Sequence, residues 1–373
     1  MKCKIIIFIS LFLSVCTFTG CNDYKYYEKI GFVLTVAAEY ENSDLHVTYI
    51  MPAIDAQNKS KDEIEIIDID NGKMLRDARN KSRLTSQKQN EAGKIQQVIL
   101  SKDLAEKDIG NLLQIFERDI ASSNQASLVV VDGSPRDLIH KLYSIPSKPR
   151  ASFYINQLIK NNVENSHIPE TRIYNVGIDK YSEHIDFITP MMKWCNDGLL
   201  VTGSALFSST KMVGEIDTEK TTLLLAMMNE LKKGEYITPP LPDEPFIQQP
   251  NHGIALKILK CKSKINLDIK DDKPYATINM KMDVSLDEKS INTPMDKEFH
   301  KKIEAYLTNE LQKDCIEVLN YAKSVNSDPL GIGNLFRAKK NEYFKKYPWK
   351  ESYSKVKFDV NVSVNLKESG LFK

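Results

Sequence analysis

The chain has 373 residues, with 51 Lys+Arg against 50 Asp+Glu, and is 42% hydrophobic and 27% charged. That balance is ordinary for a globular protein and too neutral for an electrostatic nucleic-acid binder, so no nucleic-acid partner is expected. The length suggests two or three domains, and after the first twenty residues no apolar run approaches membrane-spanning length.

At the start, Lys2 and Lys4 precede an apolar run from Ile5 to Val15, and Phe18-Thr19-Gly20 lead into Cys21. This is the layout of a secretory signal, too short to span a bilayer. The Gly20-Cys21 junction resembles that of bacterial lipoproteins. The resemblance implies a signal peptide over residues 1–20 and a diacylglyceryl and N-acyl lipid of the palmitate kind at Cys21, with a lipidated tether over residues 21–29. One acyl chain holds a protein only marginally and two or more hold it durably, so such an anchor attaches to a lipid membrane without crossing it. The alternative is an ordinary cleaved signal that releases a soluble protein.

Ile30 to Ala38 reads as a buried strand, Leu45 to Met51 alternates as a second and ends at Pro52, Asp55 to Glu63 is a loop, and Glu65 to Ile69 reads as a third strand. From Gly72 the period becomes helical through Met74, Leu75 and Ala78. Ile95 to Leu100 is a strand, and Ser101 caps a helix whose stripe is Leu112, Ile115, Phe116 and Ile120. Leu128 to Val131 is a fully buried strand; Asp132-Gly133 turns the chain, Ser134 caps, and Pro135 occupies the first helical turn. Phe153, Tyr154, Leu158 and Ile159 mark another helix, and Ile173 to Trp194 is less regular.

Leu199 to Phe207 and Lys211 to Ile216 form a hairpin around Ser208-Ser209-Thr210. Asp217 or Thr218 caps a helix carrying Leu223, Leu224, Met227, Met228 and Leu231, with Gly234 at its end. Five prolines between Pro239 and Pro250 make a stiff connector. Beyond it, Ile254 to Ile258, Lys264 to Ile269 and Tyr275 to Val284 alternate as antiparallel strands with one wet face. Lys297 to Val325 is the longest helical pattern, with Cys315 on its core side. Asp328 to Gly333 breaks it, a shorter helix with Leu335, Phe336, Tyr343 and Phe344 follows and ends at Pro348, and Phe358 to Leu366 is a closing strand.

The expected fold class is therefore α+β (mixed α/β), in three domains that each pack a β-sheet with helices. Their bounds are residues 30–195, a middle domain over 196–250 ending in the proline-rich connector, and a C-terminal domain over 251–373.

No constellation reads as an active site. Ser134 lacks the Gly-x-Ser-x-Gly elbow, Gly331-x-Gly333 follows a helix and reads as a turn, and the six histidines show no metal-ligand spacing. The carboxylate pairs Asp62-Glu63, Asp271-Asp272 and Asp287-Glu288 sit in polar runs and read as solvated loops. Cys195, Cys261 and Cys315 read as buried, reduced thiols, with one disulfide and a leftover thiol as the alternative. The aromatic residues from Phe336 to Tyr353 read as core, ahead of an exposed recognition surface. Catalytic, metal and cofactor-binding residues are all expected to be none, with only the covalent lipid at Cys21.

Several stretches in the same order resemble the Ger(x)C family, the lipoprotein C subunits of spore germinant receptors. They are Gly20-Cys21 with Asp23; Gly72-Lys73-Met74-Leu75-Arg76-Asp77-Ala78; Leu100 to Ala105 with Arg118-Asp119; Thr202 to Phe207 followed by Lys211-Met212-Val213-Gly214; and Asp328 to Gly333. The resemblance implies three α/β domains and a non-enzymatic role in germination. It also implies contacts with membrane-embedded A and B subunits and a place on the outer face of the spore inner membrane. A lipoprotein that binds a small solute is the rival function, and an extracytoplasmic hydrolase a third; the former needs a deep cleft and the latter a nucleophile with a base in reach.

Overall fold

The structure, a computed structural model, describes residues 29–42, 44–52, 64–119, 121–145, 150–182, 184–196, 198–241, 253–289 and 296–368. The signal, Cys21 and tether before residue 29, the loop expected at 55–63 with Asp62-Glu63, Ile120, and the connector from 242 to 252 lie outside the described residues.

The first half runs β1 (Ile30–Phe32), β2 (Thr35–Glu41), β3 (Asp44–Pro52), β4 (Ile64–Gly72), α1 (Leu75–Thr85), β5 (Gln89–Glu91), β6 (Gln97–Ser101), α2 (Lys102–Ala105), α3 (Gly110–Arg118) and β7 (Ser127–Asp132). It continues through α4 (Pro135–Tyr143), α5 (Ala151–Glu164), α6 (Ile173–Lys180), β8 (Ile188–Cys195), β9 (Gly198–Ser208) and β10 (Lys211–Asp217). Eight of these strands form one sheet in the order β10-β9-β8-β7-β6-β2-β3-β4. Its centre, β2, β6, β7 and β8, is parallel, with antiparallel strands at both flanks. Parallel strands must be covered on both faces, which is why β6 and β7 are buried end to end apart from Asp132. Val98 and Leu100 face a core built with α1, α2, α3 and α6, whereas Ile99 and Val129 face α4 and α5.

The second half runs α7 (Thr218–Met228), β11 (Gly234–Thr238), β12 (Ile254–Lys270), β13 (Lys273–Lys289), α8 (Lys297–Ser324), α9 (Ile332–Lys339), α10 (Asn341–Lys346), α11 (Trp349–Tyr353) and β14 (Lys357–Glu368). Strands β11-β12-β13-β14 form a second sheet. The buried stripe of α8, including Ile303, Leu307, Leu311 and Cys315, lies against one face of it. The class is mixed α+β, as expected.

The sheets divide the chain differently from the expected domain bounds. The boundary at Cys195 falls inside a hairpin in which Cys195 pairs with Gly198, so β9 and β10 complete the first sheet. Strand β11 pairs with β12 across the proline-rich stretch, which therefore links two strands of one sheet. Other expectations change locally. The first strand breaks at Val33-Leu34 into β1 and β2, and Ser101 caps only the four-residue α2, α3 being separate. The stretch read as irregular contains α6 and β8. Asn229, in left-handed conformation (φ 62), ends α7, and Gly234 instead opens β11. The two strands expected at 254–258 and 264–269 are one strand with a bulge between Ile258 and Lys260, and Asp287-Glu288 lie on β13 instead of in a loop. All three thiols are free, but only Cys315 is fully buried; Cys195 and Cys261 are half-buried. Burial pushes the Cys261 thiol up to about 11.

One backbone requirement locks the β9–β10 hairpin. Gly203 has φ +134, and a Cβ there would lie 2.0 Å from the Ile216 carbonyl oxygen of the paired strand. Gly203→Ala is expected to lower unfolding free energy by about 3 kcal/mol. Gly177→Ala, inside α6 with nothing within 4 Å of the added methyl, is expected to raise it by about 0.5–1 kcal/mol. Urea unfolding of both variants checks the pair.

Candidate functional site

The polar centre of the fold is the turn after α8. Asn326 (φ 57) leaves the helix, Pro329 cannot extend it, and Gly331 (φ 62) opens α9 without a side chain to cap it. Asp328 supplies the cap from three residues upstream. Its Oδ1 accepts the Ile332 N–H (2.9 Å), and its Oδ2 accepts the Gly333 N–H (2.8 Å) and the Trp349 indole N–H (3.0 Å). The Asp328 backbone N–H donates to Asp186 Oδ2 (2.8 Å), and the Asp186 N–H donates back to the Asp328 carbonyl (3.0 Å).

Asp186 precedes β8 and extends the network into the first sheet. Its Oδ1 accepts the Ser209 N–H (2.6 Å), and Lys350 Nζ reaches both oxygens (2.7 and 2.6 Å) and Ser208 Oγ (3.1 Å). Ser327 Oγ donates to the Phe207 carbonyl (2.6 Å). Thus the hairpin loop Ser208-Ser209-Thr210 and the Asp328–Gly333 turn, far apart in sequence, meet at one buried junction. A Cβ on Gly333 would lie 2.4 Å from Trp349 Nε1, so only glycine lets the indole in. The expected aromatic cluster is indeed core: Phe336, Trp349 and Tyr353 are buried, and the Trp349 ring lies tilted at 5.3 Å from Phe336 and 5.9 Å from Tyr353. Burial raises the Asp328 carboxyl to about 7, outweighing the Gly333 and Ile332 N–H groups that favour its ionised form.

A groove of about 610 Å³ opens on the first half, where the β4–α1 connection faces α3. Lys73, Met74 and Arg76 form one wall and Asn111, Leu112 and Arg118 the other, over a floor that includes Leu75 and Leu104. Met74 is 60% exposed. Arg76 and Arg79 both bind Asp119 at its end. Burial would raise the Asp119 carboxyl, but the Ala121 N–H and the Arg79 guanidinium outweigh it and hold the group below the usual carboxylate range. A second recess of about 440 Å³ is lined by Glu170, Arg172 and Lys232, whose charges are paired with one another.

The sequence-derived sites fall as follows. Cys21 lies outside the described residues. Ser134 caps α4, accepting the Asp137 N–H, and donates to Glu39 Oε1 (2.9 Å), while His46 turns its Nδ1 to Asp70 (3.1 Å). The serine's partner is thus a carboxylate, not the histidine that a hydrolase needs. Among the described residues no group of three His, Cys, Asp or Glu side chains could hold a metal, and no helix is long and apolar enough to cross a membrane. Sequence reasoning missed Asp186 and Lys350. The usable signal was a lone carboxylate in His184-Ile185-Asp186-Phe187-Ile188, directly before an apolar strand.

Two outcomes follow from the junction. Asp328→Asn puts an amide N–H against main-chain or indole donors and is expected to cost about 1–3 kcal/mol by chemical denaturation. A carboxyl whose folded pKa is raised keeps its proton after the unfolded chain has lost it. Wild-type stability relative to Asp328→Asn should therefore fall as pH rises from about 4 through about 7; a flat difference across that window would show that Asp328 titrates normally.

Two family models match in tandem: "Spore germination protein N-terminal domain" over residues 23–194 and "Spore germination B3/ GerAC like, C-terminal" over 202–370. The chain is 22% identical to spore germination protein GerQC of Bacillus cereus, covering 75% of this chain and 76% of that one. It is 19% identical to the putative spore germination protein YfkR of Bacillus subtilis (strain 168), covering 99% and 97%. The crystal structure of the GerBC protein superposes with a TM-score of 0.58 at 17% identity, covering 89% of this chain and 96% of that one, a likeness of fold. With its motifs at the glycine-locked hairpin and the Asp328 turn, and both family models in order along its length, the chain belongs to the Ger(x)C family of germinant receptor C subunits.

Proposed function

We propose that the chain is the non-enzymatic lipoprotein subunit of a nutrient germinant receptor. It is held by lipid at Cys21 on the outer face of the spore inner membrane and acts through contacts with the membrane-embedded A and B subunits. The observation that carries this reading is the use made of the polar residues best placed for chemistry. Asp186, Asp328, Lys350 and Trp349 bind one another and main-chain groups, and fasten two sheets together. A buried, mutually satisfied network of this kind supports a scaffold, whose work is done at its surface. The groove between α1 and α3 supplies an exposed apolar edge at Met74 and Leu112 flanked by Lys73 and Arg118, suited to a segment of a partner subunit.

Cys21→Ala should shift the protein from the spore membrane fraction to the soluble fraction and abolish the germination response to nutrients. Membrane retention with normal germination would overturn the anchor. Met74→Asp with Arg118→Glu should leave the melting temperature within a few degrees, since both side chains are exposed. The same pair should abolish co-purification of the A and B subunits with the tagged chain.

A further inference from the structure

The second sheet is covered on one face only. Ile278, Met280 and Met282 of β13 and Val360 of β14 point into the core at 0–1% exposure. After the bulge at Ile258/Lys260, the even-numbered residues of β12 and the odd-numbered residues of β13 and β14 share the opposite face. Between residues 260 and 270, 273 and 283, and 357 and 367, that face carries eight lysines against three aspartates, with no arginine and one aromatic, Tyr275. All eight lysines are exposed.

The arrangement is self-repulsive at its centre. Lys262 stands directly opposite Lys281 in the register, and Lys260 and Lys264 flank Lys262 two residues away along the same face of β12. Like charges directly opposite one another weaken a sheet. Among the described residues none of these four has an ion pair, while Lys367 lies 4.0 Å from Asp283 at the patch edge. Lysines do protect edge strands from pairing, and β12 has no outer neighbour beyond Ile258. Lys281 is on β13, however, between two strands, so edge protection does not account for it. Folding alone does not favour this grouping; an external negative charge would.

The composition selects among anionic partners. Protein interfaces are built on arginine and aromatic anchors in pockets and are depleted in lysine. An anionic bilayer attracts diffuse lysine charge without pockets, at about fivefold in partition for each lysine near its surface. We propose that the open face of the second sheet lies against an anionic phospholipid bilayer, with its lysines on the headgroup phosphates. The proposal needs no lipid on Cys21 and no receptor partner, so it stands or falls separately from the reading above.

The test uses the chain from residue 21 with Cys21→Ser, which keeps every described strand and helix and has no lipid. It is floated with vesicles of phosphatidylcholine alone, or with one quarter phosphatidylglycerol, at about 50 mM and 500 mM salt. Binding is expected to the phosphatidylglycerol vesicles, to be lost at high salt, and to fall about a hundredfold in the variant Lys262→Thr, Lys264→Thr, Lys281→Thr. That variant removes the facing lysine pair with a good strand former, so its melting temperature should not drop. Removing Lys94, Lys160 and Lys193 from the other half in the same way should change binding little. Equal binding to both vesicles, salt-independent binding, or full binding by the triple variant would overturn the proposal. So would capture by polyglutamate beads without vesicle binding, which would assign the face to an acidic protein.

Discussion

Two carboxylates that lie 2–3% exposed, close enough to repel, set the terms for the rest of the fold. Buried charge is tolerated only when paired and fully hydrogen-bonded, and removing one partner leaves the other uncompensated. Asp186 meets that requirement with Lys350 and the N–H groups of Ser209 and Asp328; Asp328 meets it with Ile332, Gly333 and Trp349. Those donors come from the hairpin loop of the first sheet, the start of α9, and α11. The donors to Asp328 all lie in its own half, but those to Asp186 come from both, Ser209 from the first and Asp328 and Lys350 from the second, so the two halves have to be assembled before the Asp186 charge can be buried.

Apolar packing follows the same seam. Helix α7 is buried almost all round, with Leu223 to Met227 each at 2% exposure or less, because it lies between β9 of the first sheet and β12 of the second. A helix apolar on every side has no solvent face to orient it, so its neighbours must come from two layers. Ile188, Leu206 and Ile216 of the first sheet accordingly belong to the same apolar cluster as Ile303, Leu307 and Val360 of the second half. At its far end Asn229 pairs its amide with the Ser263 backbone, joining the helix terminus to β12.

What the sequence made legible was local. Ser134 caps as its spacing implies, Asp217 is the one of the two expected caps that α7 uses, and the Ser208-Ser209-Thr210 hairpin, the long helix with Cys315 inside it, and the Asp328–Gly333 turn stand where expected. Each is decided within a few residues by capping chemistry or periodicity. What was not legible depended on partners distant in the chain. Nothing near Cys195 says that β9 will pair with β8 instead of founding a new sheet, and a proline-rich connector reads the same whether it separates domains or crosses between neighbouring strands. The bulge at Ile258/Lys260 shifts the alternation by one residue, so a single 17-residue strand reads as two. Asp186 was missed because a buried carboxylate is recognisable only from its donors, and those come from residues 209, 328 and 350.

The residues that identify the family are for the most part the buried ones. Gly203, Gly214, Asp328 and Gly333 are fixed by close approach: to the Ile216 carbonyl, the Tyr321 hydroxyl, the main-chain donors and the Trp349 ring. Gly203 and Gly333, against backbone and a buried indole, leave no room for a side chain, whereas Gly214 meets the movable end of Tyr321 and most other positions need only the right polarity, which suits a fold shared at 17% identity. Exposed positions carry no such requirement: the lysines of the open sheet face touch neither the apolar core nor the polar junction. Substituting them disturbs no core, so the charge of that face is set independently of the seam that joins the two sheets.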